Sequence, residues 1–215
     1  MWHHSRLRMA RTALLALAVL AVSAVSPPVS RAQSSGAGVW NVLLFGNYDF
    51  TSPDTGNGFS NLPSSFTSPT WNKYLGDGYG GGVGVVYWFT EDVAFRAEAQ
   101  AGLFNPGTSP FFTSGALESA PLTGGVELKL YGDPDYFLYL ALDGGVAYEN
   151  SLQSPGFFAK SSNHAWSSYA DAGFGLNLDW VFVEVKVAYL PDAVPNSPYQ
   201  QGAFWYVPVT AGFNF

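Results

Sequence analysis

Residues 204–215, FWYVPVTAGFNF, alternate between an apolar face and a mixed face up to the last residue of the chain. Successive side chains on a strand point to opposite sides, so the alternation predicts a β-strand. The apolar face carries Trp205, Val207, Val209, Ala211, Phe213 and Phe215. Such a strand fits either a soluble sheet or a strand with lipid on one side and a lumen on the other.

The chain ends on Phe215 in the apolar register, whereas the ends of soluble domains usually fray. A final strand of alternating apolar residues with a terminal Phe resembles the closing strand of bacterial outer-membrane β-barrels. The resemblance implies that this strand, with the six apolar residues above, is the signal recognised by the barrel assembly machinery in the periplasm. An ordinary soluble edge strand is the alternative.

The N-terminus predicts export. Arg6, Arg8 and Arg11 precede a 14-residue apolar run, Thr12 to Val25, and Ser30-Arg31-Ala32 places small residues where a signal peptidase cleaves. The run is shorter than the roughly 20 residues of a spanning helix. We predict a signal peptide over 1–32 and a barrel domain over 33–215.

The predicted mature chain is strongly acidic and poor in charge. Its five cations against all 16 acidic residues give a formal net charge of −11. Nucleic acid is therefore not an expected partner, because phosphate binding needs clustered Lys and Arg. There are no cysteines, so disulfides cannot hold this exported domain. Few charges, 17% aromatics and 24 glycines suit a lipid-facing surface, and outer-membrane lipids are the expected partners.

Eight segments with period-two alternation predict eight strands. They lie at about 39–50, 74–89, 93–104, 121–131, 136–149, 166–178, 181–189 and 204–215. The connections alternate between long and short, which puts four long loops at one end and three tight turns at the other. The sequence predicts an all-β, eight-stranded, antiparallel up-and-down transmembrane β-barrel. A glycine-rich nucleotide loop at Gly76 to Gly84 is disfavoured because no helix pattern follows it.

One face of the predicted strands collects almost all of their charges. These are Arg96, Glu98, Glu127, Lys129, Asp143, Glu149, Asp171, Glu184 and Lys186. In a membrane barrel they face the lumen, where eight strands leave an interior that side chains fill, and we expect them to pair across strands. The pattern resembles the polar interior of the OmpA transmembrane domain and OmpX-like barrels.

Several functional interpretations stay open. A salt-bridged, largely closed lumen predicts a structural or surface-interaction role in the bacterial outer membrane. The acidic excess instead allows a narrow cation-preferring channel, and OmpW-like barrels offer a channel for hydrophobic solutes. A soluble lipocalin-like barrel is the structural rival, with its apolar face inward.

The predicted mature chain offers little for catalysis. His164, its single histidine, is placed in a loop near Ser161, Ser162 and Ser167. A Ser–His pair needs the base within hydrogen-bond reach of the hydroxyl, and a lipid-modifying hydrolase is the less favoured alternative. No metal cluster or cofactor motif is recognised, so we expect no enzyme, no metal and no cofactor.

Overall fold

The computed structural model describes residues 35–51, 75–106, 116–152, 163–191 and 203–215. Contacts divide the chain into two units, Met1–Ala32 and Gln33–Phe215. The predicted signal peptide and the four predicted long loops lie largely or wholly outside the described residues. Within those residues, no helix is long and apolar enough to cross a membrane.

Eight strands account for most of the described chain. They are β1 (Trp40–Thr51), β2 (Leu75–Trp88), β3 (Val93–Pro106), β4 (Ala116–Gly132), β5 (Tyr136–Leu152), β6 (Asn163–Leu178), β7 (Val181–Leu190) and β8 (Phe204–Asn214). Each strand is antiparallel to its neighbours in sequence, and β1 pairs with β8 to close the barrel. The predicted fold class is confirmed.

The closing seam joins the two ends of the described chain. Leu43 pairs with Asn214 and Thr51 pairs with Tyr206. Val42 and Phe215 exchange two backbone hydrogen bonds, at 2.9 and 3.0 Å. The start of β1 and the end of β8 therefore lie at the end of the barrel that carries the short turns, which we call the turn end; the other end is the loop end.

Side-chain hydrogen bonds and one left-handed residue form the three tight turns. Thr90 Oγ1 accepts from the backbone N–H of Asp92 and Val93 between β2 and β3. Asp133 Oδ1 accepts from the N–H of Asp135 and Tyr136 between β4 and β5. Asp179 adopts φ 63° between β6 and β7, a conformation that Asp tolerates better than most residues.

Two strands begin earlier than predicted. β4 starts at Ala116 rather than near 121, and β6 starts at Asn163 rather than near 166. Pro121 conceals the early part of β4, because proline has no N–H for a ladder. Pro121 nevertheless pairs with Ala147 of β5, whereas it has no partner in the ladder with β3.

A β-bulge near the end of β4 reverses which of its side chains face the lumen. The register with β5 shifts between Lys129 and Tyr131, which leaves Leu130 as an extra residue. Tyr131 then pairs with the outward-facing Leu138 and is 82% exposed. Strict alternation from the inward-facing Lys129 would also put Tyr131 on the inward face. The extra residue reverses the alternation after it.

Close packing inside the barrel explains part of the glycine run in β2. A Cβ on Gly82 would lie 2.8 Å from Phe45 Cζ and 2.5 Å from the Ala99 carbonyl oxygen. A side chain there would displace the ring of Phe45, which packs inward against Phe182. Interior side chains therefore crowd this part of the wall.

The outer surface of the barrel is apolar. Val, Leu and Phe side chains cover its middle, among them Leu122, Leu142, Phe174 and Val185. Exposed aromatic rings lie near both ends: Trp40, Phe89, Tyr136, Trp180 and Phe215 at the turn end, and Tyr48, Phe50, Tyr148, Trp166 and Trp205 at the loop end. Two aromatic bands around an apolar belt are typical of membrane barrels. Trp88, Phe104 and Phe137 also lie toward the ends of their strands, but they are buried inside the barrel.

Candidate functional site

Seven of the nine predicted luminal charges meet in one layer across the barrel. This layer, which we call the charge layer, consists of Arg96, Glu98, Glu127, Asp143, Asp171, Glu184 and Lys186, all buried. They come from β3, β4, β5, β6 and β7. Successive side chains of a strand point to opposite faces, and each of these residues occupies a position whose side chain points into the lumen.

Arg96 is the first centre of the charge layer. Its Nη1 and Nη2 donate to the two carboxylate oxygens of Glu184, at 2.6 and 2.9 Å. Its Nε and Nη2 both donate to Glu98 Oε1. Glu127 lies 3.5 Å from Nη1 and Asp143 lies 3.6 Å from Nε. The guanidinium therefore links β3 to β7 across the lumen, with the two-pronged geometry that favours Arg over Lys.

Lys186 is the second centre. Its Nζ lies 3.0 Å from Asp143, 3.1 Å from Glu184, 3.3 Å from Glu98 and 3.3 Å from Asp171. Three of these carboxylates also contact Arg96, so the two cations share acceptors. Asp143 and Asp171 stand directly opposite each other on β5 and β6. Lys186 offsets the repulsion expected of a like-charged pair in that position.

The charge layer contains five carboxyl groups and two cations, so its composition is acidic. Burying charges costs several kcal/mol per ion unless good pairing and hydrogen bonds compensate. Gln100 adds one such bond, from its Nε2 to Glu98 Oε2 at 3.0 Å. The arrangement fixes the side chains to one another from one wall of the lumen to the other.

Two predicted members of the network lie elsewhere. Lys129 sits at the turn end, with Nζ 3.7 Å from Asp92 on the neighbouring turn. Glu149 is fully buried nearer the loop end, opposite Ser119 on β4. Alternation gave the face of both residues correctly, but it does not give their height in the barrel.

Apolar layers lie on either side of the charge layer. The turn-end layer contains Leu43, Phe45, Val86, Trp88, Ala94, Phe137, Tyr139, Ala141 and Phe182. The loop-end layer contains Leu75, Phe104, Leu117, Ala147, Tyr169, Ala188, Leu190, Phe204 and Tyr206. Ring centroids 5.0–5.4 Å apart connect Phe104, Phe204 and Tyr206 in the loop-end layer. In the turn-end layer, the ring centroids of Trp88 and Phe137 are 5.5 Å apart.

Two acidic residues were not included in the predicted network. Asp49 is buried on the inward face of β1, where Asn47 Nδ2 donates to it at 2.6 Å. Its alternation already put it on that face. Glu118, assigned to a loop, lies on β4 and accepts from Asn150 Nδ2 at 3.0 Å. It was missed because the strand was predicted to start later.

The geometry around His164 does not favour a catalytic pair. His164 lies on β6, not in a loop, and is exposed with its ring 6.2 Å from that of Tyr148. Ser167 is buried on the opposite face of the same strand. Ser161 and Ser162 lie outside the described residues. In the described ranges, no group of three or more His, Asp or Glu is arranged to hold a metal ion.

The predicted assembly strand is β8. Trp205, Phe213 and Phe215 are exposed on its outer face, and Val207 and Val209 are half-buried there. Trp180 from the β6–β7 turn stacks on Phe213 at 5.5 Å with the rings nearly parallel. Recognition of this strand by an assembly machinery stays a prediction.

No protein-family model matches the chain, and no curated protein matches it. Among solved structures, it is similar to Ail, the attachment invasion locus protein of Yersinia pestis, at 14% identity and a TM-score of 0.52 over 83% of this chain and 99% of that one. Ail in complex with the heparin analogue sucrose octasulfate gives the same values. Neisserial surface protein A covers 81% of this chain and 95% of its own, at 11% identity and a TM-score of 0.49. The likeness to Ail is one of fold, that of small bacterial outer-membrane β-barrels with eight strands.

Proposed function

We propose that this protein is an integral outer-membrane barrel whose lumen is closed by its own side chains, and that it has a structural or surface-interaction role. The observation that carries this proposal is the order of layers inside the barrel. An apolar layer, the charge layer and a second apolar layer follow one another from the turn end to the loop end.

The charge layer and the two apolar layers oppose the passage of solutes in different ways. The ion pairs of Arg96 and Lys186 cross from wall to wall, and moving them requires separating buried charges. The aromatic rings of the apolar layers offer an ion no replacement for its hydration shell. An eight-stranded barrel has just enough interior for side chains to fill, which is consistent with this arrangement.

A closed barrel leaves its outer surface and its ends for function. The apolar belt fits contact with membrane lipids, and the loop end is where ligand or partner binding is expected in such a scaffold. The exposed terminal strand β8 fits recognition by the barrel assembly machinery during biogenesis. Nothing in this role requires catalysis, a metal or a cofactor.

Single-channel recording on refolded Gln33–Phe215 in a planar bilayer tests the closed lumen. We expect the barrel to insert and to give no steady conductance steps, because three filled layers separate its two ends. Folding is checked separately by heat-modifiable migration on gels, so that electrical silence is not mistaken for a failure to fold.

Reproducible conductance steps would contradict the closed lumen and favour the narrow channel. In that case the carboxylate excess of the charge layer predicts a preference for cations. Glu127→Gln, at the edge of the layer and 3.5 Å from Arg96, should then reduce that preference. If neither the wild type nor Glu127→Gln gives conductance steps, the closed barrel is supported.

A further inference from the structure

A groove of about 580 Å³ opens at the turn end, beside the turns that join β2 to β3 and β4 to β5. The residues that form it include Asp92, Lys129, Leu130, Tyr131, Asp133 and Tyr136. Its size is within the range of sites for small ligands. The groove lies apart from the charge layer, and the closed lumen does not use it.

The β-bulge of β4 builds one wall of this groove. Lys129 pairs with the inward-facing Tyr139, whereas Tyr131 pairs with the outward-facing Leu138. The extra residue, Leu130, is half-exposed between them. A bulge re-aims the side chains that follow it, and here it places an ammonium, an aliphatic chain and a phenol along one short path from the lumen mouth to the outer surface.

Lys129 is bound far less completely than the cations of the charge layer. Of the three cations in the described ranges, Arg96 and Lys186 each contact four carboxylates. Lys129 has Asp92 at 3.7 Å and Ser35 Oγ at 3.5 Å, although its side chain is only 10% exposed. An ammonium so enclosed and so weakly paired is well suited to a further anionic acceptor.

Acidic and apolar groups flank that ammonium in the groove. Asp92, whose side chain is 70% exposed, and Asp133 supply two carboxylates. Leu130, Tyr131 and Tyr136 are 50%, 82% and 57% exposed, and they continue into the apolar belt of the barrel. A ligand for this groove therefore combines one anionic group, a nearby cationic group and an apolar part.

We propose that this groove binds the headgroup of a zwitterionic aminophospholipid at the turn end of the barrel. Its phosphate accepts from Lys129, its ammonium lies against Asp92 and Asp133, and its acyl chains follow Leu130 onto the apolar belt. A headgroup with a negative charge and no cation fits less well, because it meets both carboxylates. This inference rests on the proposed membrane location of the barrel.

Native mass spectrometry of the refolded barrel, released from vesicles of equal phosphatidylethanolamine and phosphatidylglycerol, tests the groove. We expect the wild-type barrel to retain phosphatidylethanolamine in preference to phosphatidylglycerol. Lys129→Gln should lower that retention about tenfold, or about 1.4 kcal/mol, because the variant loses the charge-assisted hydrogen bond to the phosphate. Asp92→Asn, on an exposed turn where folding is not at risk, should reduce the preference between the two lipids. Glu91→Gln, on the same turn but outside the groove, is the matched control.

Four outcomes would overturn the assignment. Equal retention of phosphatidylethanolamine by wild type and Lys129→Gln would remove the role of Lys129. A lipid preference unchanged by Asp92→Asn would show that this carboxylate does not select the headgroup. Retention would then reflect only a contact with the phosphate or adsorption to the apolar belt. An inserted wild-type barrel that retains neither lipid overturns the groove alone, whereas a wild-type chain that does not insert into vesicles overturns the proposed membrane function with it.

Discussion

Arg96 shows how one residue can hold a barrel lumen together. It is almost fully buried and contacts four carboxylates from β3, β4, β5 and β7. We expect Arg96→Met to lower the free energy of unfolding by about 3–5 kcal/mol, because it leaves buried carboxylates with Lys186 as the remaining cation of the layer. Urea unfolding of the refolded barrel in lipid vesicles, followed by tryptophan fluorescence, measures the loss.

A double-mutant cycle separates pairing from packing at this residue. Glu184→Gln, added to Arg96→Met, removes one of the carboxylates left without its partner. The double variant should be more stable than the sum of the two single losses by about 0.5–3 kcal/mol. Strict additivity would show that Arg96 acts through volume and not through charge. Glu91→Gln on an exposed turn should leave stability unchanged.

Residue faces could be predicted from the sequence because alternation is a local property. Arg96, Glu98, Asp143, Asp171, Glu184 and Lys186 all face the lumen as expected. Which of the nine charges meet could not be predicted. Arg96 and Glu184 are 88 positions apart, and their height in the barrel depends on the stagger accumulated across the strands between them.

At the scale of single elements, β7 alternates between buried and more exposed residues along its whole length. Its residues are alternately buried and exposed or half-buried from Val181 to Leu190. Val185 lies on its outer face, in register with Phe174 and Val209 on the neighbouring strands. In a bilayer this position is close to the middle of the apolar belt.

Val185→Arg therefore tests which solvent surrounds the barrel. We expect it to reduce the free energy of unfolding by about 2–4 kcal/mol in vesicles, the cost of Arg near the bilayer midplane. Val181→Arg, on the same face but at the turn end of β7, should cost about 0–1 kcal/mol. Equal, small effects at both positions would indicate that water and not lipid surrounds β7.

Strand β4 marks the limit of alternation as a guide to elements. The early part of β4 was missed because Pro121 resembles a strand breaker. Pro121 nevertheless pairs with Ala147 of β5 on one side. Its bulge at Leu130 was missed because an extra residue carries no local signal; tertiary pairing with β5 decides it. The groove at the turn end follows from this bulge, so it could not be predicted from the sequence.

At the scale of the whole molecule, turn length and orientation are linked. The three described turns lie at one end, together with the start of β1 and the end of β8. In the outer-membrane family that the sequence resembles, such turns face the periplasm and long loops face the outside. Because the barrel has an even number of strands, the start of β1 and the end of β8 lie at the same end of the barrel.

Site-directed thiol labelling tests this orientation. The chain has no cysteine, so each introduced thiol is the single target of a membrane-impermeant maleimide. Glu91→Cys, on the exposed β2–β3 turn, should react only after the outer membrane is permeabilised. Ser64→Cys and Ser154→Cys, in predicted loops outside the described residues, should react in intact cells. Reaction of Glu91→Cys in intact cells with protection of the other two would reverse the barrel, and would move the lipid groove to the outer leaflet.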